Sequence, residues 1–286
     1  MGNYLGQHFL INKKKIEKII EALDLKSGDV VVEIGPGKGA LTIPLCENCQ
    51  KLGCKIIAVE KDKDLADDLK NKIYDLGLDK NIEIIEGDAL KTLPRLIHNS
   101  ELRIKNYKIV GNIPYYITGY LLRILGELEN KPSLIVLTIQ KEVAQRVCAK
   151  PRTRRRQGYG GQGMNLLAAS VQFWAEPKII GSVSKKDFWP IPKVDSAIIK
   201  LTPLTLLVRS SIQCNKGDYY KFIKILFKQP RKTILNNLKS QISNLKNKEK
   251  IIEKLKKVGV DPQARPQNLS IEQILKLFNF LKYCFL

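Results

Sequence analysis

Acidic residues are scarce in this chain, and so are the side chains that most often hold metals. Asp and Glu number 28 against 49 Lys and Arg over 286 residues, a formal net charge of +21 at pH 7. That imbalance excludes little about the fold but favours a polyanionic partner, because each phosphate neutralised by a cation releases condensed counterions. Nucleic acid is the partner class the composition supports. Histidine occurs only twice, at His8 and His98. The six cysteines, Cys46, Cys49, Cys54, Cys148, Cys214 and Cys284, show none of the paired spacings of a zinc site. Reduced, partly buried thiols and no metal are expected. No apolar run approaches the roughly 18 to 20 residues of a membrane span, and Met1-Gly2-Asn3 is polar where a signal peptide would be basic and then apolar. A cytoplasmic protein with no membrane partner is expected. Hydrophobic residues still make up 44% of the chain, enough for a substantial core in one large or two modest domains.

One stretch organises the rest. The β-branched run Val30-Val31-Val32-Glu33-Ile34 leads into Gly35-Pro36-Gly37-Lys38-Gly39 and then Ala40-Leu41-Thr42, which reads as strand, tight turn and helix. Glycine at alternate positions lets the backbone turn sharply and approach a ligand, and the helix start offers unpaired N–H groups. The spacing is G-x-G-x-G, unlike the G-x-G-x-x-G of dinucleotide binders, and no Lys-Ser/Thr closes it as a phosphate loop requires. Alone it admits a dinucleotide, a phosphate or a nucleoside-type methyl donor. Glu60 ends the next apolar run, Lys55-Ile56-Ile57-Ala58-Val59, at about the twenty-residue offset where a carboxylate meets ribose hydroxyls.

Taken in order, Ile16, Ile19, Ile20 and Leu23 mark an amphipathic helix after Gln7-His8-Phe9-Leu10, a segment able to fold over a ligand, although His8 taken alone reads as a surface histidine. Strands are expected at 56–59, 81–86, 107–111, 134–138, 171–174 and 197–201, with a helix marked by Leu65, Leu69, Ile73 and Leu76. Asp88 follows the third of the parallel strands, at a carboxyl edge where open α/β sheets bind ligands; there it can accept from an adenine amino group, cap the next helix, or both. Gly111-Asn112-Ile113-Pro114-Tyr115 closes the fourth strand. Proline pushes the preceding residue to an extended conformation, so Asn112, the Ile113 carbonyl and Tyr115 project together. An amide oxygen and a carbonyl can both accept from one exocyclic amine while the ring stacks on its base, an arrangement suited to N-methylation of adenine.

A basic, glycine-rich stretch at 151–163 reads as a surface loop. Phe188-Trp189-Pro190-Ile191-Pro192 forms a stiff loop that offers a second stacking face. Residues 203–217 read as a linker, and beyond them the apolar spacing is helical, with lysines crowding 246–257. The architecture expected is α/β: a Rossmann-like domain over 1–202 with a mostly parallel sheet and helices on both faces, then a small all-α RNA-binding domain over 218–286.

These stretches together resemble the bacterial small-subunit rRNA adenine N6,N6-dimethyltransferases. The similarity runs through Leu5-Gly6-Gln7-His8-Phe9-Leu10, the 33–42 loop, Glu60, Gly87-Asp88-Ala89, Gly111 to Tyr115, Gln140-Lys141-Glu142-Val143, the 188–197 stretch, Arg231-Lys232-Thr233 and Leu269-Ser270-Ile271-Glu272-Gln273. The resemblance implies an S-adenosylmethionine-dependent methyltransferase fold. It also implies dimethylation of two adjacent adenosines in a 3′-terminal hairpin of 16S rRNA, on the immature small subunit, by a monomer that needs no metal. It implies that His8, Leu10, Gly35, Gly37, Glu60, Asp88, Ala89 and Asn112 bind the cofactor. Asn112, Pro114, Tyr115 and Phe188 would serve the reaction, with Tyr115 and Phe188 sandwiching a flipped adenine. Two other readings are kept: a 23S rRNA adenine methyltransferase of the macrolide-resistance type, and a ribosome-assembly checkpoint protein in which catalysis is secondary.

Overall fold

The computed structural model describes residues 7–98, 106–152, 162–204, 215–239 and 248–281. Their contacts form two compact units, residues 1–144 with 177–203, and residues 145–176 with 204–286.

In chain order the first elements are β1 (Phe9–Leu10), α1 (Lys13–Ala22), β2 (Val30–Ile34), α2 (Thr42–Leu52), β3 (Lys55–Glu60), α3 (Lys63–Asp75), β4 (Ile82–Glu86), α4 (Ala89–His98), β5 (Tyr107–Asn112), α5 (Thr118–Glu127) and β6 (Leu134–Gln140). Then come α6 (Lys141–Val147), α7 (Leu166–Gln172), β7 (Ala175–Val183), β8 (Phe188–Trp189) and β9 (Ser196–Pro203). Local chemistry sets the helix starts. The Asn12 and Asp62 side chains accept from the Lys15 and Leu65 N–H groups, satisfying donors that the helices leave unpaired. Ile16, Ile19 and Ile20 on α1 and Leu69 and Ile73 on α3 then pack with Val31 and Ile56 of the sheet.

Seven strands form one sheet in the order β4-β3-β2-β5-β6-β9-β7. Pairing from β4 through β6 is parallel, and β9 runs antiparallel to β6. This is the mostly parallel α/β sheet expected. From β2 the chain steps outward to β3 and β4, then returns to place β5 and β6 on the other side. The connections leaving β2 and β5 therefore diverge, and open a crevice at the carboxyl ends of those two strands. A separate two-stranded sheet pairs β1 antiparallel with β8, setting Phe9 opposite Trp189 and Leu10 opposite Phe188.

At the other end of the sheet a buried ion pair braces β5. Lys108 Nζ lies 2.6 Å from Asp29 Oδ2 and also donates to the Asp24 carbonyl, with both charged side chains under a tenth exposed. Replacing Lys108 by Met strands the Asp29 charge. The expected loss of stability is about 3 to 5 kcal/mol, read as a lowered urea midpoint.

The second unit contains α8 (Lys216–Leu226), α9 (Ile234–Lys239), α10 (Lys248–Lys257) and α11 (Ile271–Leu281). Its core is aromatic. Tyr219 stacks on Phe173 with centroids 4.1 Å apart, meets Phe278 edge-on at 5.7 Å, and donates its hydroxyl to the Ala169 carbonyl at 3.0 Å. Backbone bonding adds to this, as Arg152 N–H donates to the Gln267 carbonyl at 2.9 Å.

Two expectations change. Residues 171–174 are not a strand: Asn165 caps α7 by accepting from the Ala168 N–H, the helix runs to Gln172, and the strand starts at Ala175. A short apolar run cannot by itself distinguish a buried strand from a buried helix end. Residues 145–176 group with the helical tail, whereas the sequence reading carries the first domain through to 202. Most of the basic 151–163 loop, and positions 205–214 of the 203–217 linker, lie outside the described residues.

Candidate active site

The crevice is built first by the glycine loop. Gly35 and Gly37 adopt φ of 66° and 55°, a region that side chains disfavour. Gly35 N–H donates to the Val59 carbonyl at 3.0 Å, so the β2–β3 ladder continues into the turn. Gly37 N–H donates to Glu60 Oε2 at 2.9 Å, while Glu60 Oε1 accepts from the N–H groups of Lys61 and Asp62 at 2.9 and 3.0 Å. Glu60 thus makes three charge-assisted bonds, one that clamps the loop at Gly37 and two that fix its own carboxylate against the start of the next turn. A Cβ on Gly35 would meet nothing within 4 Å, whereas one on Gly37 would fall 2.8 Å from the Phe9 ring. The first glycine opens onto free space and the second is packed from above.

Opposite the loop, β5 delivers Asn112. Its Nδ2 donates to the His8 carbonyl oxygen at 2.8 Å. A carbonyl can only accept, so the amide nitrogen must face His8 and Oδ1 is left as an acceptor at the cavity. Ile113 N–H donates to the Thr138 carbonyl at 3.0 Å, which holds the turn against β6. The Tyr115 hydroxyl lies 2.9 Å from Ser196 Oγ, and burial raises its pKa. His8 Nδ1 lies 2.7 Å from the Pro190 carbonyl and is therefore the protonated ring nitrogen.

A small open cavity of about 60 Å³ results. Its lining includes His8, Gly35, Gly37, Glu60, Asn112, Pro114, Tyr115 and Phe188 from among the expected site residues, together with Gln7, Phe9 and Ile113. Leu10, Asp88 and Ala89 are not in that lining. Leu10 is buried beside Phe188. Asp88 caps α4 by accepting from the Leu90 N–H at 3.0 Å and pairs with Lys61 Nζ at 3.2 Å; Ala89 is the first residue of that helix. Sequence reasoning gave Phe9 no role, although its ring covers Gly37 and carries Lys38 Nζ at 5.1 Å. Its place beside His8 in a pairing strand was the available signal.

Beneath the loop lies another unassigned group. Glu33 on β2 is 1% exposed, and its Oε2 and the neighbouring Thr42 Oγ1 have no hydrogen-bond partner among the described residues. Burial pushes the Glu33 carboxyl up to about 8, and the nearby Glu60 carboxylate adds to the shift. At neutral pH Glu33 is therefore held as a carboxylic acid beneath the loop.

The family model described as ribosomal RNA adenine dimethylase matches residues 3–283. The chain belongs to that family. A ribosomal RNA small subunit methyltransferase A from Mycoplasma capricolum is 37% identical over 97% of this chain and 96% of its own length. A protein of the same name from Dehalococcoides mccartyi is 38% identical over 96% of this chain and 86% of its own. Among solved structures, a dimethyladenosine transferase from Plasmodium falciparum aligns with a TM-score of 0.74 at 27% identity, covering 97% of this chain and 98% of that one. The 23S rRNA methyltransferase ErmE aligns at 0.69 and 25% identity, covering 96% and 99%. The expected enzyme class, an S-adenosylmethionine-dependent rRNA adenine dimethyltransferase, stands, as does its Rossmann-like fold. Among the described residues no helix of this dimethylase is long and apolar enough to cross a membrane.

Proposed function

We propose that this rRNA adenine dimethylase transfers methyl groups from S-adenosylmethionine to N6 of two adjacent adenosines in a 3′-terminal hairpin of 16S rRNA, acting as a cytoplasmic monomer on the immature small subunit. The orientation of the Asn112 amide carries the reading. With Nδ2 held by the His8 carbonyl, Oδ1 can only accept, and the exocyclic N6 amine of adenine has hydrogens to give. Accepting from that amine favours a pyramidal nitrogen whose lone pair is no longer spread into the ring. Pro114 fixes the turn that brings the Ile113 carbonyl alongside as a second acceptor. Tyr115 and Phe188 line the same cavity and supply two apolar faces for a base taken out of its stack.

The residues fit the methyl donor. Gly35 leaves open space where a side chain would stand, and Glu60 uses three of its roughly four acceptor positions on backbone N–H groups, leaving one for a ribose hydroxyl. Asp88 and Ala89 follow the neighbouring strand, where Gly87 N–H donates to the Glu60 carbonyl at 2.7 Å, and Asp88 is assigned to the cofactor adenine. Gly37, His8 and Leu10 complete the seat. When bound, S-adenosylmethionine supplies an electrophilic methyl carbon on a sulfonium. Everything else asked of the chain is positioning, which can lower a barrier by several kcal/mol when the attacking atom is held in line. Assay of the purified protein on immature small subunits and on naked large-subunit RNA, with mass spectrometry of the products, tests the reading. Dimethyladenosine in the small-subunit RNA is expected; methyl incorporation only into large-subunit RNA would refute it in favour of the macrolide-resistance type.

A further inference from the structure

The cavity accounts for Phe188 but not for its neighbour. Successive strand residues point to opposite faces, and in β8 Phe188 is 2% exposed while Trp189 is 65% exposed. An indole turned to solvent on a two-residue strand contributes little to folding, yet it stands at the rim of the site. Its register partner Phe9 lines the cavity, and the next carbonyl, that of Pro190, is held by His8 at 2.7 Å. The rim across the cavity repeats the pattern: Tyr115 faces inward, and Tyr116 beside it is 62% exposed.

The charges around Trp189 indicate what covers it. Lys185, Lys186 and Lys193 lie within four residues of it in the chain, all exposed and without an ion pair among the described residues. The two acidic residues of the same stretch are held by hydrogen bonds. Asp187 accepts from Asn12 Nδ2 and the Ser184 N–H at 2.7 and 2.8 Å, and Asp195 accepts from the Lys185 N–H at 3.0 Å. An exposed flat aromatic ring in a stretch that also carries exposed, unpaired lysines is the chemistry that binds single-stranded nucleic acid, the ring stacking on a base and the lysines drawing its phosphates. A second copy of this chain, itself at +21, would be repelled by these lysines, whereas a phosphate-bearing strand gains from both the ring and the cations.

We propose that Trp189 is a stacking platform for the base next to the target, namely the second adenosine of the pair, with Lys186 and Lys193 drawing its phosphates. The inference rests on the function proposed above and deepens it. A base stacked at the rim holds the strand while its neighbour is in the cavity, which explains how one site serves two adjacent adenosines.

The probe is a hairpin oligoribonucleotide with two adjacent loop adenosines, compared with one in which the second adenosine is abasic. The chain has two tryptophans, and since Trp174 is 2% exposed, acrylamide quenching of the full-length protein reports chiefly on Trp189. The intact hairpin is expected to shield that indole from acrylamide; the abasic one is expected to bind roughly tenfold more weakly and to leave it open. Trp189→Ala should weaken binding of the intact hairpin by a similar factor and raise KM far more than it lowers kcat, and Trp189→Phe should recover most of the loss. Equal affinity for the two hairpins overturns the proposal with the protein unaltered. So does shielding that grows with protein concentration in the absence of RNA, or shielding given only by ribosomal proteins. If the unmodified enzyme methylates small subunits while Trp189→Ala matches its KM, the platform alone fails. If the unmodified enzyme transfers no methyl to them, the proposed function fails first.

Discussion

Replacing Asn112 by Ala is expected to lower turnover by at least about 10² to 10³-fold, the usual loss when one preorganised polar contact to a transition state is removed, while RNA and cofactor affinities change only a few-fold. The reason lies in two atoms of one amide. Nδ2 is committed to the His8 carbonyl, which leaves Oδ1 as the acceptor for the amine that attacks. Asn112→Asp provides a sharper version of the same test. A carboxylate has acceptors in plenty but no hydrogen to give the His8 carbonyl, so two oxygens would face each other at that contact and the side chain would turn away. Both variants should therefore fail in single-turnover methyl transfer while still binding subunits. Unchanged turnover in Asn112→Ala would refute the role assigned. A variant that binds normally but transfers nothing would separate the enzyme from the checkpoint reading, in which methylation is secondary.

The pH dependence of stability should carry the mark of Glu33. Its carboxyl is pushed up to about 8 from an ordinary 4.5, first by burial. Between those values the folded chain keeps a proton that the unfolded chain releases, so the contribution to stability is complete below about 4.5 and is lost as pH rises towards 8. The slope is up to about 1.4 kcal/mol per pH unit. Glu33→Gln keeps the shape of the protonated acid without its titration. Urea midpoints measured at pH 5, 7 and 9 should fall steeply in the unmodified protein and much less in the variant. An unchanged slope in Glu33→Gln would assign the pH dependence to other groups. The consequence reaches the site: ionising Glu33 sets a second negative charge near Glu60, the clamp on Gly37, so cofactor affinity should decline over the same upper range of pH.

Much of this was legible in the residues because it depends on local rules. The glycine spacing of 35–39 required a turn at a strand end. Pro114 required Ile113 to be extended, and apolar periodicity set the helices at α1 and α3. Chemistry that needs particular side chains was legible too: an amide, a proline and an aromatic ring in sequence have few uses, and they were read together. The reading at 171–174 failed where that logic runs out, because Val171, Phe173 and Trp174 are buried whether the backbone there is helix or strand. The capping amide that settles it, Asn165, lies six residues upstream of Val171.

What the sequence determined by itself was the class of the molecule: a parallel α/β sheet with a glycine loop, an acceptor loop for an amine and a basic helical tail. Each follows from neighbours in the chain, where turn geometry, periodicity and charge act over a few residues. What only the tertiary structure decided was the use of individual atoms. That Glu60 clamps Gly37 depends on two strands lying side by side. That the Asn112 amide presents its oxygen depends on a carbonyl 104 residues away in sequence. That Phe188 faces inward and Trp189 outward depends on a two-residue strand finding β1 as its partner. These contacts join distant segments, and hydrogen-bond direction and side-chain facing are fixed only when the segments meet.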